Sequence, residues 1–406
     1  METGRRIHIG MASPIALAPL RHRFGDADLP DTISFPLIGH LVEQLVRKGH
    51  DVTVFAGSHS LKSSVELHGN GLNLFVVPMR QRRAPYDFYR PERAALAQAI
   101  QHSSCDLIHA HWTYEFAAAA LDSGRPSLVT AHDSPPAILR YFILTRYAPF
   151  WLARSALGVR VLHRAHHITT VSPYCRDSIR RWIRPPASIS VVPNGIESSI
   201  LDLGTTRLAG GDPAEPFTLA TVLQGFQERK NPKAAIAAFA RVRRKFPAAS
   251  MLMFGTDYEF GGPAAAWSKA SGFDHGVQFL GKVAHPDLLR IMADKVHLLI
   301  HPAKEESFGM APLEAMALGI PVIGGKKSGG VPYVLNGGEA GTLVDISSPD
   351  EIADAACRIL ENPKHRRHQA QAGWQRAASE FSLERMVSLY EQEYTKVLNS
   401  SPSRQT

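Results

Sequence analysis

Short apolar runs alternate with longer amphipathic stretches along most of this chain. Ile7–Gly10, Val52–Ala56, Leu74–Val77, Leu107–Ala110, Ser127–Ala131, Ile168–Val171 and Ile189–Val192 read as strands between polar or Gly/Pro punctuation. Most of the segments between them have helical spacing, as in Phe35–Lys48, which ends at Gly49. Pro193-Asn194-Gly195 breaks the pattern, and residues 202–216, rich in Gly, Pro and Asp, read as a linker. The alternation restarts with Thr218–Leu223, Ser250–Phe254, Val277–Leu280, Leu298–Ile300, Pro321–Ile323 and Thr342–Val344. Strands alternating with helices predict parallel, doubly wound α/β sheets. Two such sets predict two domains, residues 1–200 and 201–382, with a cleft between them. A last segment, Leu383–Leu398, is apolar at Leu383, Met386, Val387, Leu389, Tyr390 and Tyr394 and reads as a helix.

The strand Val296–His301 leads into Glu306-Ser-Phe-Gly-Met-Ala-Pro-Leu-Glu314, which continues as Ala-Met-Ala-Leu-Gly-Ile-Pro-Val-Ile. Gly309 lets the backbone approach a ligand closely. Pro312 suits a first helical turn, where its missing N–H would be unpaired in any case. The new helix turns free N–H groups and its positive dipole end toward whatever sits beside Phe308, Gly309 and Met310. That is an anion and hydroxyl site. Glu306 precedes the helix and Glu314 lies along it, so the two carboxylates can address different parts of one long ligand. Two glutamates at this spacing also occur by chance in helical proteins, but the full string is much more specific.

A length of 406 residues, 44% hydrophobic and 20% charged, is ordinary for a globular protein of two or three domains. No uncharged apolar stretch of about 18 residues is present, which predicts no membrane-spanning helix. Arg5-Arg6 before Ile7–Leu20 imitates a leader peptide, yet His8, Gly10, Pro14 and Pro19 interrupt it, and Ile7–Gly10 reads better as a first strand. Cys105, Cys175 and Cys357 are odd in number and far apart, which fits a reducing, cytoplasmic location. The histidines are scattered without zinc spacing. Asp26-Ala27-Asp28 is an Asp-x-Asp pair of the kind that can hold a metal ion, but it falls in a loop before the first long helix. A net charge of +8 favours anionic partners. No nucleic-acid signature accompanies it, leaving nucleotide phosphates or an anionic membrane surface. Residues 137–164 interleave Arg140, Arg146, Arg154, Arg160 and Arg164 with aromatic and aliphatic residues. They read either as peripheral contact with an anionic membrane or as ordinary surface helices.

The string around Glu306 and Glu314 resembles the Glu-x7-Glu motif of retaining glycosyltransferases of the GT-B fold, family GT4. Phe35-Pro-Leu-Ile-Gly-His-Leu, Lys48-Gly-His-Asp-Val-Thr-Val-Phe, Asp106-Leu-Ile-His-Ala-His-Trp, Thr130-Ala-His-Asp, Val171-Ser-Pro-Tyr and Val191-Val-Pro-Asn-Gly-Ile-Glu are similar to further family segments. The resemblance implies an α/β GT-B fold: two Rossmann-like doubly wound domains facing a central cleft, with the terminal helix 383–398 crossing back to the first. A simple packing helix is the alternative. It also implies a UDP- or GDP-sugar as co-substrate and neither cofactor nor metal. By the resemblance, Glu314 bonds the nucleotide ribose. Glu306 and the backbone of Phe308, Gly309 and Met310 hold sugar hydroxyls, Lys230 binds the pyrophosphate, and His132 contacts the transferred sugar. His132 and Asp133 follow a strand, so they face the cleft unless they merely cap a loop. The acceptor is expected near His132 and the loop after Gly10. His109 and His111 share one strand face and read equally as acceptor contacts or core.

The chain departs from the family pattern at Gly225, where an arginine usually stands five residues before the lysine. Arg229 is either the replacement cation or a solvated turn charge. Gly329-Gly330 is expected near the donor. Competing nucleotide motifs fail: no Gly-x-Gly-x-x-Gly follows the first strand, and residues 319–328 only approximate a P-loop. The expected activity is sugar transfer from a nucleotide-diphosphate donor to an acceptor hydroxyl with retention. The competing reading is an inactive GT-B subunit that binds nucleotide sugar and supports a partner. A GT-B epimerase or phosphorylase is weaker still.

Overall fold

The apolar runs of the first half become strands of one sheet. The structure, a computed structural model, describes residues 6–81, 83–211 and 215–400. Strands β1 (His8–Ala12), β2 (Asp51–Ser58), β3 (Val65–Gly69), β4 (Leu72–Pro78), β5 (Leu107–His111), β6 (Ser127–Ala131), β7 (His167–Thr170) and β8 (Ile189–Val191) lie in the order β3-β4-β2-β1-β5-β6-β7-β8. All pairs are parallel except β3 with β4. The second half forms its own parallel sheet from β9 (Thr218–Val222), β10 (Ser250–Phe254), β11 (Val277–Gly281), β12 (Leu298–Ile300), β13 (Val322–Gly325) and β14 (Thr342–Val344), ordered β11-β10-β9-β12-β13-β14.

Parallel strands buried on both faces need apolar side chains in both directions. In the first unit Phe55, Ile108 and Val129 pack against Leu96, Leu157 and Val161 on one face. On the other face Ile9, Met11, Val54 and Leu128 meet Leu37, Leu41 and Leu45 of the helix Pro36–Arg47, together with Met386, Tyr390 and Tyr394. In the second unit Leu219, Met251, Leu298 and Ile323 pack with Ile236 and Phe239 of the helix Pro232–Lys245 and with Ile352 and Ile359 of the helix Pro349–Glu361.

The compact units are residues 1–195 with 383–406, and residues 196–382. The boundary therefore falls at Gly195/Ile196 rather than at residue 200, and the terminal helix Leu383–Ser400 belongs to the first unit. The reason is local. A Cβ on Gly195 would lie 2.8 Å from the Leu383 Cα, so the outgoing and returning backbones touch at this glycine. Most of the expected 202–216 linker is also absent, because Ser198–Ala209 is a helix. Its Ile200 and Gly204 are buried, the Trp374 Nε1 donates to the Leu201 carbonyl at 3.0 Å, and a Cβ on Gly204 would meet the Ala317 carbonyl at 2.0 Å. Gly204 thus serves close helix packing. Residues 212–214 of that segment lie outside the described residues. The strand β3 has no counterpart in the sequence reading: it is a half-exposed edge strand carrying Glu66 and His68.

Candidate active site

Sheet order decides where ligand-binding loops converge. In the second unit the winding reverses between β9 and β12, which are neighbours although they lie far apart in sequence. Loops leaving the carboxyl ends of two such strands flank a crevice, the usual ligand site of an open α/β sheet. The loop after β9 carries Arg229 and Lys230, and the loop after β12 carries Glu306. Asn231 stitches them together, since its Nδ2 donates to the Pro302 carbonyl (3.2 Å) and the Ile346 carbonyl (2.7 Å). The Lys304 N–H donates to the Arg229 carbonyl at 2.8 Å.

The geometry at the crevice is close. The Lys230 Nζ lies 2.5 Å from the Glu306 Oε1, and the His301 Nε2 lies 3.5 Å from the same oxygen. Burial alone would raise the Glu306 pKa, but Lys230 and then His301 outweigh it and hold the carboxyl well below the ordinary range. Glu306 is therefore ionised at neutral pH. Gly309, at φ 114°, ends the turn and caps the helix Met310–Ala317 with no side-chain hydrogen bond. Phe308 turns inward against Phe381 (5.5 Å) and Tyr333 (6.5 Å), so its backbone is what a ligand can meet. Gly330 fits tightly beneath the turn: its N–H donates to the Glu306 carbonyl at 2.7 Å, and a Cβ there would lie 2.4 Å from the Ser307 carbonyl oxygen.

Glu314 is buried on the same helix and bonds the His285 Nε2 at 2.8 Å. That hydrogen bond, opposed by burial, raises the His285 pKa. Arg229 is no solvated turn charge, because its Nη1 donates to the Glu305 carbonyl at 3.1 Å and its Nε is buried. Gly225 sits at φ 87°, a left-handed conformation in which an arginine would be strained. The departure at this position is thus built into the loop.

In the first unit the histidines separate into two roles. His109 is fully buried, with Nδ1 on the Tyr394 hydroxyl (2.8 Å) and Nε2 on the Thr130 hydroxyl (2.7 Å). It is a core residue that ties down the terminal helix. His111 is also buried, and its Nδ1 pairs with the His132 Nε2 at 2.8 Å. Burial pushes both strand histidines well below the usual value and His132 down to about 3, so all three are neutral. His132 remains half-buried at the end of β6, with the Trp112 ring tilted against it at 4.4 Å and Phe35 edge-on at 5.5 Å. Trp112 adopts φ 63°, an uncommon conformation for a bulky residue, and its N–H is fixed on the Thr130 carbonyl at 2.9 Å. Asp133 accepts from the Tyr114 hydroxyl at 3.0 Å, and Arg154 lies over the Tyr114 ring at 3.8 Å.

Gly10 does not open a ligand loop. It lies inside β1, where a Cβ would meet the Ile108 Cδ1 at 2.4 Å. Its smallness serves core packing, and the chain turns only at Ser13-Pro14. His301, His285 and Trp112 were not singled out by sequence reasoning, since their partners are distant in the chain. Among the described residues no three His, Cys, Asp or Glu side chains gather as metal ligands, and no helix is long and apolar enough to cross a membrane. A cavity of about 530 Å³ lies toward the amino ends of the first unit's strands, beside His8, Thr53, Asn73 and Ser104. No predicted site residue lines it.

Residues 37–199 match the family Glycosyltransferase Family 4, and residues 212–376 match Glycosyl transferases group 1. The N-acetyl-alpha-D-glucosaminyl L-malate synthase of Bacillus anthracis is 25% identical over 373 residues, 88% of this chain and 92% of that protein. The glycogen synthase of Mycobacterium tuberculosis is 26% identical over 386 residues, 88% of this chain and 89% of that protein. Among solved structures, sucrose-phosphate synthase from Thermosynechococcus elongatus matches with a TM-score of 0.75 at 20% identity, over 98% of this chain and 100% of that one. Anabaena HepE in complex with UDP and glucose matches with a TM-score of 0.67 at 17% identity, over 96% of this chain and 100% of that one. Both halves of the sequence carry family signatures and both sheets have the expected winding, so this chain belongs to the GT4 glycosyltransferases of the GT-B fold.

Proposed function

We propose that this enzyme transfers a hexosyl group from a UDP- or GDP-sugar to an acceptor hydroxyl with retention of anomeric configuration. The observation that carries the reading is the meeting of Lys230 and Glu306 at the β9/β12 crevice. An ammonium placed there can neutralise the charge that builds on a leaving diphosphate. Glu306 is ionised and accepts from sugar hydroxyls, while the start of the helix Met310–Ala317 offers backbone N–H groups. Glu314 bonds the ribose. In the transfer, the anomeric carbon–phosphate oxygen bond breaks and the bond to the acceptor oxygen forms on the same face. The acceptor's proton passes to the departing phosphate oxygen. Lys230 and the helix end do the work that a metal ion does elsewhere. The complex of Anabaena HepE with UDP and glucose supports a donor of this type.

The acceptor is assigned to the first unit, beside His132, Asp133 and the Phe35–Trp112 rings. An anionic membrane surface is a fitting partner for residues 139–152. There Leu144 is 98% exposed and Ile143 and Tyr147 about half, while Arg140 and Arg146 lie over neighbouring tyrosine rings. The test of the activity is a panel of UDP-, GDP- and ADP-sugars incubated with the full chain, with EDTA present. The reading expects one donor to be consumed, with sugar passed to water or to an acceptor pool. Binding without turnover would support the inactive-subunit reading, and loss of turnover restored only by Mg²⁺ or Mn²⁺ would show that the charge is handled by a metal.

A further inference from the structure

We propose that donor binding exchanges the partner of Glu306: the diphosphate takes Lys230, and His301 takes the released carboxylate. This rests on the reading above that Lys230 meets the diphosphate. As the site stands, the Lys230 ammonium is spent on the Glu306 Oε1 at 2.5 Å. A lysine so paired offers a second anion little net charge. Its pairing must therefore weaken when a diphosphate arrives, and Glu306 would then face the sugar without a hydrogen-bond donor to hold it.

The structure holds a replacement. His301 ends the β12 run and its backbone N–H is fixed on the Ile323 carbonyl at 2.8 Å. The residue is 3% exposed, and both ring nitrogens are buried without a hydrogen bond. Buried polar atoms are nearly always paired, so an imidazole left unpaired in one state points to a partner gained in another. Its Nε2 lies 3.5 Å from the Glu306 Oε1, just beyond hydrogen-bond length. A movement of a few tenths of an ångström by the freed carboxylate completes that bond. His301 is then a positioning residue that holds Glu306 for the sugar, and Lys230 is free for the phosphates. No covalent bond is made or broken in this exchange.

The test is calorimetric titration of the full chain with UDP, GDP and ADP, paired with donor turnover. Glu306→Gln removes the competing charge and should bind the preferred diphosphate about tenfold tighter, because the competent state of Lys230 is no longer a minor one. Glu306→Ala should show the same tightening. His301→Leu should bind the diphosphate several-fold more weakly than the wild type, because the released carboxylate then has no partner, while an unchanged Tm reports an intact fold. Its kcat should fall by about tenfold, because Glu306 is no longer held toward the sugar, and its donor KM should rise with the weaker diphosphate affinity. His301→Asn, which keeps an N–H donor, should recover part of the loss. Affinity in both Glu306 variants no tighter than wild type would mean that Lys230 serves both anions at once and no exchange occurs. An unchanged diphosphate affinity and kcat in His301→Leu would reduce His301 to packing. A wild type that binds none of the three diphosphates would overturn the functional reading itself, and the exchange with it.

Discussion

Lys230 and Arg229 are sequence neighbours with opposite fates. Lys230 is buried beside Glu306, whereas Arg229 is turned onto the Glu305 carbonyl. Lys230→Ala should therefore cost roughly 3–4 kcal/mol of transition-state stabilisation, the range for one strong preorganised contact. Arg229→Ala should lower kcat/KM much less and instead destabilise the second unit by about 1 kcal/mol, the worth of one hydrogen bond. Comparable kcat/KM losses in the two variants would show that Arg229 has taken over the role of the arginine absent at Gly225. At this scale the sequence was legible where chemistry is written contiguously. Glu306, Gly309 and Glu314 share one string, and Lys230 sits in a recognisable loop. Gly10 misled because a glycine looks the same whether it admits a ligand or, as here, the Ile108 side chain. His301 and His285 were invisible because their meaning lies in atoms from other elements.

At the scale of elements, the parallel strands were readable because burial on both faces leaves continuous apolar runs. Ser127–Ala131, Ser250–Phe254, Leu298–Ile300 and Thr342–Val344 match their predicted bounds. The edge strand β3 was not, since its alternate positions are only partly buried and the rest are exposed. The helix Ser198–Ala209 was missed because its glycine serves packing rather than a turn. Close backbone contact of the same kind supports the catalytic turn. Gly330→Ala would force a methyl group to 2.4 Å from the Ser307 carbonyl. The expected cost is about 1–3 kcal/mol of overpacking, seen as a Tm lowered by about 2–10 °C. Donor KM should rise as the turn shifts. An unchanged Tm and KM would mean that the turn yields freely.

At the scale of the whole molecule, helical spacing could not decide where the terminal helix packs. The Tyr394–His109 bond and the apolar side chains of Leu383–Ser400 assign it to the first unit. That unit carries a pH signature. Burial depresses the pKa of His109, His111 and His132, so the folded form stays neutral while the unfolded chain protonates near pH ~6.5. Stability from these groups is fully present above that pH and is lost as pH falls toward the folded values, by up to about 1.4 kcal/mol per pH unit for each histidine. His285 has the opposite sign: its raised pKa contributes below the unfolded value and is lost as pH rises through the folded one. Urea midpoints for the first unit should fall between pH 7 and pH 5, and a flat profile would mean that the cluster takes up protons without unfolding. The account's central claim is transfer from a nucleotide-diphosphate sugar at the Lys230–Glu306 crevice. It is tested most directly by time-resolved proton NMR of an α-linked donor panel, run with wild type and Glu306→Gln. The account predicts an α-configured first product from the wild type and turnover lower by on the order of 10²-fold in the variant. A β-configured first product, or equal turnover by both proteins, would contradict it.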